Sequence, residues 1–176
     1  ACQVAADALS VKRREAGTRL ARAVTRLLPD LGLPGGRLDV DLPPLGRIES
    51  WGQESVTLTV RLNAGLEPRP LAKAASGGEL SRLMLALKVV LSDRGSAPTL
   101  VFDEIDTGVG GAVADAIGAR LARLAGQVQV MAVTHAPQVA ARASQHLLIS
   151  KHALDKGKRV ATRVNALAAD HRREEI

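Results

Sequence analysis

The chain has 176 residues, 46% of them hydrophobic and 24% charged, enough apolar material for one domain with its own core. No apolar run approaches the roughly 20 residues that span a bilayer, no charged-then-apolar leader is visible, and the single cysteine, Cys2, has no partner for an internal disulfide, so a cytoplasmic protein is expected. The net charge of +6 permits an anionic partner such as a nucleotide or nucleic acid, but one Trp, one Phe and no Tyr offer almost nothing for single-stranded bases to stack on; contact with DNA is expected at backbone phosphates.

Helical spacing is already under way at Ala1, so a piece of a longer chain is expected. Val4, Leu9, Ala16, Leu20, Val24 and Leu27 predict one amphipathic helix from Gln3 to Leu28, stopped by Pro29 and by Gly32, Pro34, Gly35 and Gly36. Alternation in Leu38, Val40 and Leu42, and again in Val56, Leu58, Val60 and Leu62, predicts two half-buried strands joined by a loop. Residues Asn63 to Ala75, with Gly65, Pro68 and Pro70, read as a loop leading to a helix start. From Ser76 onward helices and strands alternate, the pattern of a parallel α/β sheet. A helix through Leu80, Leu83, Met84, Leu87 and Leu91 is apolar nearly all round and should be buried. The continuous apolar run Thr99 to Phe102 predicts a central strand, Val113, Ile117, Leu121 and Leu124 a second helix, and Gln129 to Thr134 a further strand. A short helix from Pro137 and strands through Leu147 to Ile149 and Val160 to Val164 close the chain.

Four places carry chemistry. Ser76-Gly77-Gly78-Glu79 stands at a helix start; a capping box accounts for Ser76 and Glu79, but not for two adjacent glycines, which let backbone approach an anion where free N–H groups point outward. The strand Thr99 to Phe102 ends in Asp103 and Glu104, which would face a site outside the carboxyl end of the sheet. Asp103 suits a magnesium ion and Glu104 suits a general base acting on water; the plainer reading is a solvated acidic strand end. Ile105-Asp106-Thr107-Gly108-Val109-Gly110-Gly111 is a polar, glycine-rich loop. His135 follows the next strand directly, at the same sheet edge, although a histidine there is commonly structural or simply exposed.

In this order the four places resemble the ATP-binding-cassette superfamily. Ser76-Gly77-Gly78-Glu79 resembles its signature motif, Val101-Phe102-Asp103-Glu104 its Walker B strand, Asp106 its D-loop acid and His135 its switch histidine. Ala75 stands where the superfamily usually has Leu, and Ile105 where its transporters have Pro. The longer strings Leu71 to Lys88, Phe102 to Gly108 and Thr134 to Ala140 are similar to the RecN family of bacterial SMC-like DNA-repair ATPases.

That resemblance implies an α/β fold, the C-terminal lobe of an ATPase head with a mostly parallel sheet flanked by helices. Residues 37–176 would form that half of the head and 1–28 the root of a coiled coil. It also implies ATP and Mg2+ as cofactors, Asp103 as the metal ligand, Glu104 and His135 as catalytic groups, and Ser76, Gly77, Gly78, Glu79 and Asp106 as nucleotide-binding residues. The implied setting is double-strand break repair and recombination in the cytoplasm at the nucleoid, with ATP pairing two heads and hydrolysis separating them. The implied partners are the N-terminal half of the same head, a second head and DNA, with no membrane. A chromosome-organising SMC clamp and a transporter ATPase are the competing readings.

A phosphate-cradling Walker A loop needs Gly-x-x-x-x-Gly-Lys followed by Ser or Thr. No such run occurs; only Lys158 follows a glycine, and Gly157-Lys158-Arg159 lacks the earlier glycine and the hydroxyl. This chain alone is therefore expected neither to bind ATP tightly nor to hydrolyse it. The basic residues Lys12, Arg13, Arg14, Arg19, Arg22 and Arg26 near one end, and Lys151, Lys156, Lys158, Arg159 and Arg163 near the other, are candidates for DNA contact or ordinary solvated faces.

Overall fold

Helix α1 spans Cys2–Leu27 in the computed structural model, which describes residues 1–63, 65–73, 77–92, 97–154, 159–168 and 171–172. Its buried strip is Ala6, Ser10, Gly17 and Val24. Leu9, Leu20 and Leu27 are half-buried beside it, while Val4 and Ala16 are exposed. Val24 is thus the one large residue of the predicted face that is fully buried, and small residues fill the rest of the buried strip. A Cβ on Gly17 would lie 3.1 Å from the Cβ of Val40, so the glycine lets α1 rest directly on the strand below. Glycine in a helix interior costs roughly 0.5–1 kcal/mol relative to alanine, and the close approach is what it secures. The chain leaves α1 through a 3-10 turn, Pro29–Leu31, closed by Gly32 in the left-handed conformation at φ 75.

Strand β1 (Arg37–Asp41) pairs antiparallel with β4 (Thr57–Arg61), Leu38 opposite Val60, both buried. The two-residue strand β5 (Arg69–Pro70) extends this sheet beyond β4. The connection read as a plain loop is a second hairpin, β2 (Pro44–Glu49) and β3 (Gly52–Glu54). It escapes period-two reading because Leu45, Ile48 and Trp51 stay exposed. Polar contacts to α1 hold it instead. Arg13 Nη2 donates to the Trp51 carbonyl at 2.6 Å, and Gln53 Nε2 donates to Asp7 Oδ1 at 2.9 Å and Ser10 Oγ at 3.1 Å.

The α/β part follows: α2 (Gly77–Val90), β6 (Thr99–Phe102), α3 (Gly111–Ala125), β7 (Gln129–Ala132) and the short α4 (Pro137–Ala140). β6 and β7 run parallel, in register from Thr99 opposite Gln129 to Phe102 opposite Ala132. Among the described residues, parallel pairing is confined to these two strands, which are joined through a helical crossover; the other three sheets are antiparallel. α2 is covered nearly all round, with only Gly77 exposed, and α3 buries Ala114, Ile117, Gly118, Leu121 and Leu124. β8 (Leu147–Leu154) and β9 (Arg159–Ala166) form a long antiparallel hairpin.

Val24, Leu28, Leu38, Val60, Leu83, Leu85, Phe102, Ile105, Ile117 and Val139 belong to one contiguous core, so α1, the β1–β4 sheet and the β6–α3–β7 unit share an interior. Among the described residues, only one face of the β6–β7 pair is covered. Phe102 is buried, whereas Val101 is 65% exposed and its register partner Met131 49%.

Candidate functional site

The chain turns sharply where β6 ends. Glu104 sits at φ 55, a left-handed conformation that costs a residue with a Cβ roughly 1–2 kcal/mol. Its N–H is satisfied by Asp103 Oδ1 at 2.9 Å. Asp103 and Glu104 are both exposed, and both leave the carboxyl end of the sheet, as their place after an apolar strand predicts.

The carbonyls that follow are each taken up. Ser81 Oγ, on α2, donates to the Asp103 carbonyl at 2.7 Å. Arg82 Nη1 donates to Thr107 O at 3.1 Å and lies 3.4 Å from Ile105 O. The Thr107 N–H closes on Glu104 O at 3.2 Å, and the Val109 N–H on Asp106 O at 3.4 Å. Residues 103–107 are thus a loop fastened carbonyl by carbonyl, largely from one helix.

Asp106 turns inward, only 3% exposed. Its Oδ2 accepts the Thr134 hydroxyl, the His135 N–H at 3.0 Å and the Ala136 N–H at 2.9 Å, while Thr134 Oγ1 also takes the Ala136 N–H at 3.0 Å. Burial pushes the Asp106 pKa up, but the hydrogen bonds from Thr134, Ala136 and His135 outweigh burial and hold it below the usual aspartate value. The loop after β7 is built on this carboxylate. Its ring-bearing residue, His135, points outward with a 78% exposed side chain, Nδ1 3.5 Å from Asp106 Oδ2.

The start of α2 completes the constellation. Ser76 lies outside the described residues, as do Lys156 and Lys158. Gly77 and Gly78 stand against Glu104 of the same chain. A Cβ on Gly77 would overlap the Glu104 carboxylate, and one on Gly78 would sit 3.0 Å from the Glu104 carbonyl oxygen and 3.1 Å from Arg82 Nη1. The glycine pair therefore allows a close approach within this chain, besides the anion docking its type and position permit. Glu79 lies in the first turn of α2, and its negative charge acts on Arg82.

The structure brings Asp103, Glu104, Gly77 and Gly78 into one cluster and ties Asp106 to the His135 loop. No group of three or more His, Cys, Asp or Glu among the described residues could hold a metal ion by itself. A hard cation here would take few protein oxygens and draw the rest from phosphates and water, which is how magnesium behaves. Asp103, exposed at the strand end, fits that role.

Ser81, Arg82 and Thr134 escaped sequence reading as site residues. Arg82 is buried at 6% exposure between Gly78 and Ala86 on the inner face of α2. Burial pulls its pKa down and the charge of Glu79 opposes that. A lone cation one turn from neighbours on an apolar helix face was the signal that would have marked it.

No protein-family model matches the chain. Among curated proteins it is 43% identical over 174 residues to the DNA repair protein RecN of Xylella fastidiosa (strain 9a5c), covering 98% of this chain and 31% of that protein. It is 39% identical over 171 residues to DNA repair protein RecN of Haemophilus influenzae, covering 97% and 30%. Among solved structures it resembles the Smc head domain with a coiled coil and joint from Pyrococcus yayanosii, with TM-score 0.63, 20% identity, and coverage of 96% of this chain and 31% of that one. The Smc head domain of Pyrococcus furiosus, solved with the C-terminal domain of ScpA, gives TM-score 0.58 at 20% identity, covering 88% and 36%. The chain thus spans about a third of the length of its curated relatives, 31% and 30% in these two cases. It has the fold of an SMC head domain, and its sequence relatives are RecN proteins, whose C-terminal part it matches.

Proposed function

We propose that this chain forms the C-terminal half of an SMC-like ATPase head acting in DNA repair, and that in the complete protein ATP joins two such heads while hydrolysis parts them. The observation that carries this reading is the convergence of Asp103, Glu104 and the His135 loop at the carboxyl end of one parallel strand pair, beside the glycine-opened start of α2. The similarity to RecN proteins over nearly the whole chain supports it.

Bound with magnesium, ATP would supply an electrophilic γ-phosphorus. Asp103 would hold the metal through carboxylate oxygen. Glu104 would orient a water and accept its proton, and His135 would reach the phosphate from the neighbouring strand end. Ser76, Gly77, Gly78 and Glu79 would serve the nucleotide of a second head. Asp106, turned inward, would contribute by holding the His135 loop in place. The lysine and backbone cradle for the phosphates would come from the part of the protein preceding this segment, which would also cover the bare face at Val101 and Met131.

In the complete protein, Glu104→Gln should lower ATP turnover by about 100-fold or more while ATP-dependent head pairing persists, since the amide keeps the shape and loses the base. Steady-state hydrolysis and sedimentation with ATP measure both; turnover within a few-fold of wild type refutes the base assignment. For the segment alone, turnover should be undetectable until the preceding part is supplied, and robust hydrolysis without it would overturn the division of labour.

A further inference from the structure

We infer that Arg82 is a positioning residue that couples the start of α2 to the loop carrying Glu104 and, through Asp106, to the loop carrying His135. The assignment deepens the reading of Glu104 and His135 given above and rests on it.

The path is short and continuous. Arg82 Nη1 reaches the carbonyls of Ile105 and Thr107, the two residues flanking Asp106. Asp106 in turn holds the Thr134 hydroxyl and the backbone N–H groups of His135 and Ala136. One guanidinium therefore fixes the backbone on both sides of the carboxylate that supports the His135 loop. Arg82 itself is one helical turn beyond Gly78, whose missing Cβ would stand 3.1 Å from that same Nη1. An event that moves the first turn of α2 must move the anchor of both loops.

Arg82 is a poor choice if packing were its only role. A buried guanidinium carries a desolvation cost that a Met or Leu of similar volume avoids. Moreover, Arg82 Nε is buried without a hydrogen-bond partner among the described residues. Real proteins break such local rules chiefly at functional sites. Both carbonyls are taken by the single nitrogen Nη1 through its two N–H groups.

The test uses the complete protein carrying this segment, in wild-type, Arg82→Met, Arg82→Gln, Asp106→Asn and Glu104→Gln forms, followed by hydrogen–deuterium exchange and ATP kinetics. In Arg82→Met the amides of His135 and Ala136, which Arg82 does not touch, should exchange about tenfold faster, together with those of residues 105–107. The kcat for ATP should fall about tenfold with KM within a few-fold, because the phosphate cradle lies elsewhere. Combining Arg82→Met with Asp106→Asn should give little further loss, as expected for two links of one path. Unchanged exchange at His135 and Ala136 in Arg82→Met overturns the coupling, as does a loss confined to KM. If Arg82→Met fails to fold, Arg82→Gln decides by the same exchange criterion. Should Glu104→Gln keep full turnover, the base assignment falls on its own, and the exchange result, which needs no hydrolysis, still accepts or rejects Arg82 as the coupling residue.

Discussion

Asp106, expected among the nucleotide-binding residues, turns inward and holds the backbone of residues 134–136. Its carboxylate, 3% exposed, is ionised against burial by three donors from residues 134–136. A carboxylate whose folded pKa lies below its unfolded value of about 3.9 stabilises the fold fully above that value and loses the contribution as pH falls through the folded one. Asp106→Asn should therefore lower stability by about 2 kcal/mol at pH 7, and the gap to wild type should close as both are titrated below about pH 4. Urea melts across that range measure it; a gap that widens in acid would contradict the direction. Gly77 and Gly78 separate in the same way. Alanine at 77 meets only the far end of the Glu104 side chain, which can swing aside, whereas alanine at 78 meets backbone at 3.0 Å. Gly78→Ala should cost about 1–3 kcal/mol in thermal melts and Gly77→Ala clearly less. Placing Asp103, Glu104 and His135 at one sheet edge was legible in the sequence because strand ends can be read from apolar runs. The inward turn of Asp106 and the role of Arg82 were not, since the first depends on donors from residues 134–136 and the second on the carbonyls of Ile105 and Thr107, all brought together only by the fold.

Elements whose apolar residues face the core were the readable ones. α3 buries the face its periodicity predicts, and β6 has the predicted bounds. α1 was readable as a helix and only partly as a face: Val24 is buried and Leu20 and Leu27 pack on the core as predicted, while Val4 and Ala16 are exposed and Ala6, Ser10 and Gly17 are buried where β1 and the β2–β3 hairpin approach. Gly17 is the contact that sets this geometry. Gly17→Val would drive two methyls into Val40, already 3.1 Å from a modest Cβ, and should destabilise by about 1–3 kcal/mol despite leaving helix composition nearly unchanged. Melting curves that overlay wild type would mean that α1 can shift off β1 without loss. The hairpin itself was invisible to alternation because its large side chains face outward, with Trp51 59% exposed, and its attachment is polar, through Arg13 and Gln53.

Over the whole molecule, the α/β class and, apart from the β2–β3 hairpin and β5, the order of elements were legible, and the share of surface left uncovered was not. Val101 is 65% exposed on a strand that reads as central, and Met131 and Val133 on the neighbouring run are 49% and 54% exposed, although a continuous apolar run such as Thr99 to Phe102 normally means cover on both sides. Val101→Asp should thus leave the fold of this segment nearly unchanged, within about 0.5 kcal/mol for an exposed site, yet weaken its assembly with the rest of the protein at least tenfold in a pull-down titration. Equal assembly by the variant would place the covering surface elsewhere. No helix among the described residues is long and apolar enough to cross a membrane.

The left-handed backbone at Glu104 has one more implication. Chosen for folding alone, that position would hold glycine, which adopts such a bend freely, so a sequence optimised only for thermal resistance would shed the proposed base there before it touched the core. A Glu104→Gly protein that melts higher than wild type and turns over no ATP would show the two demands pulling the same residue in opposite directions.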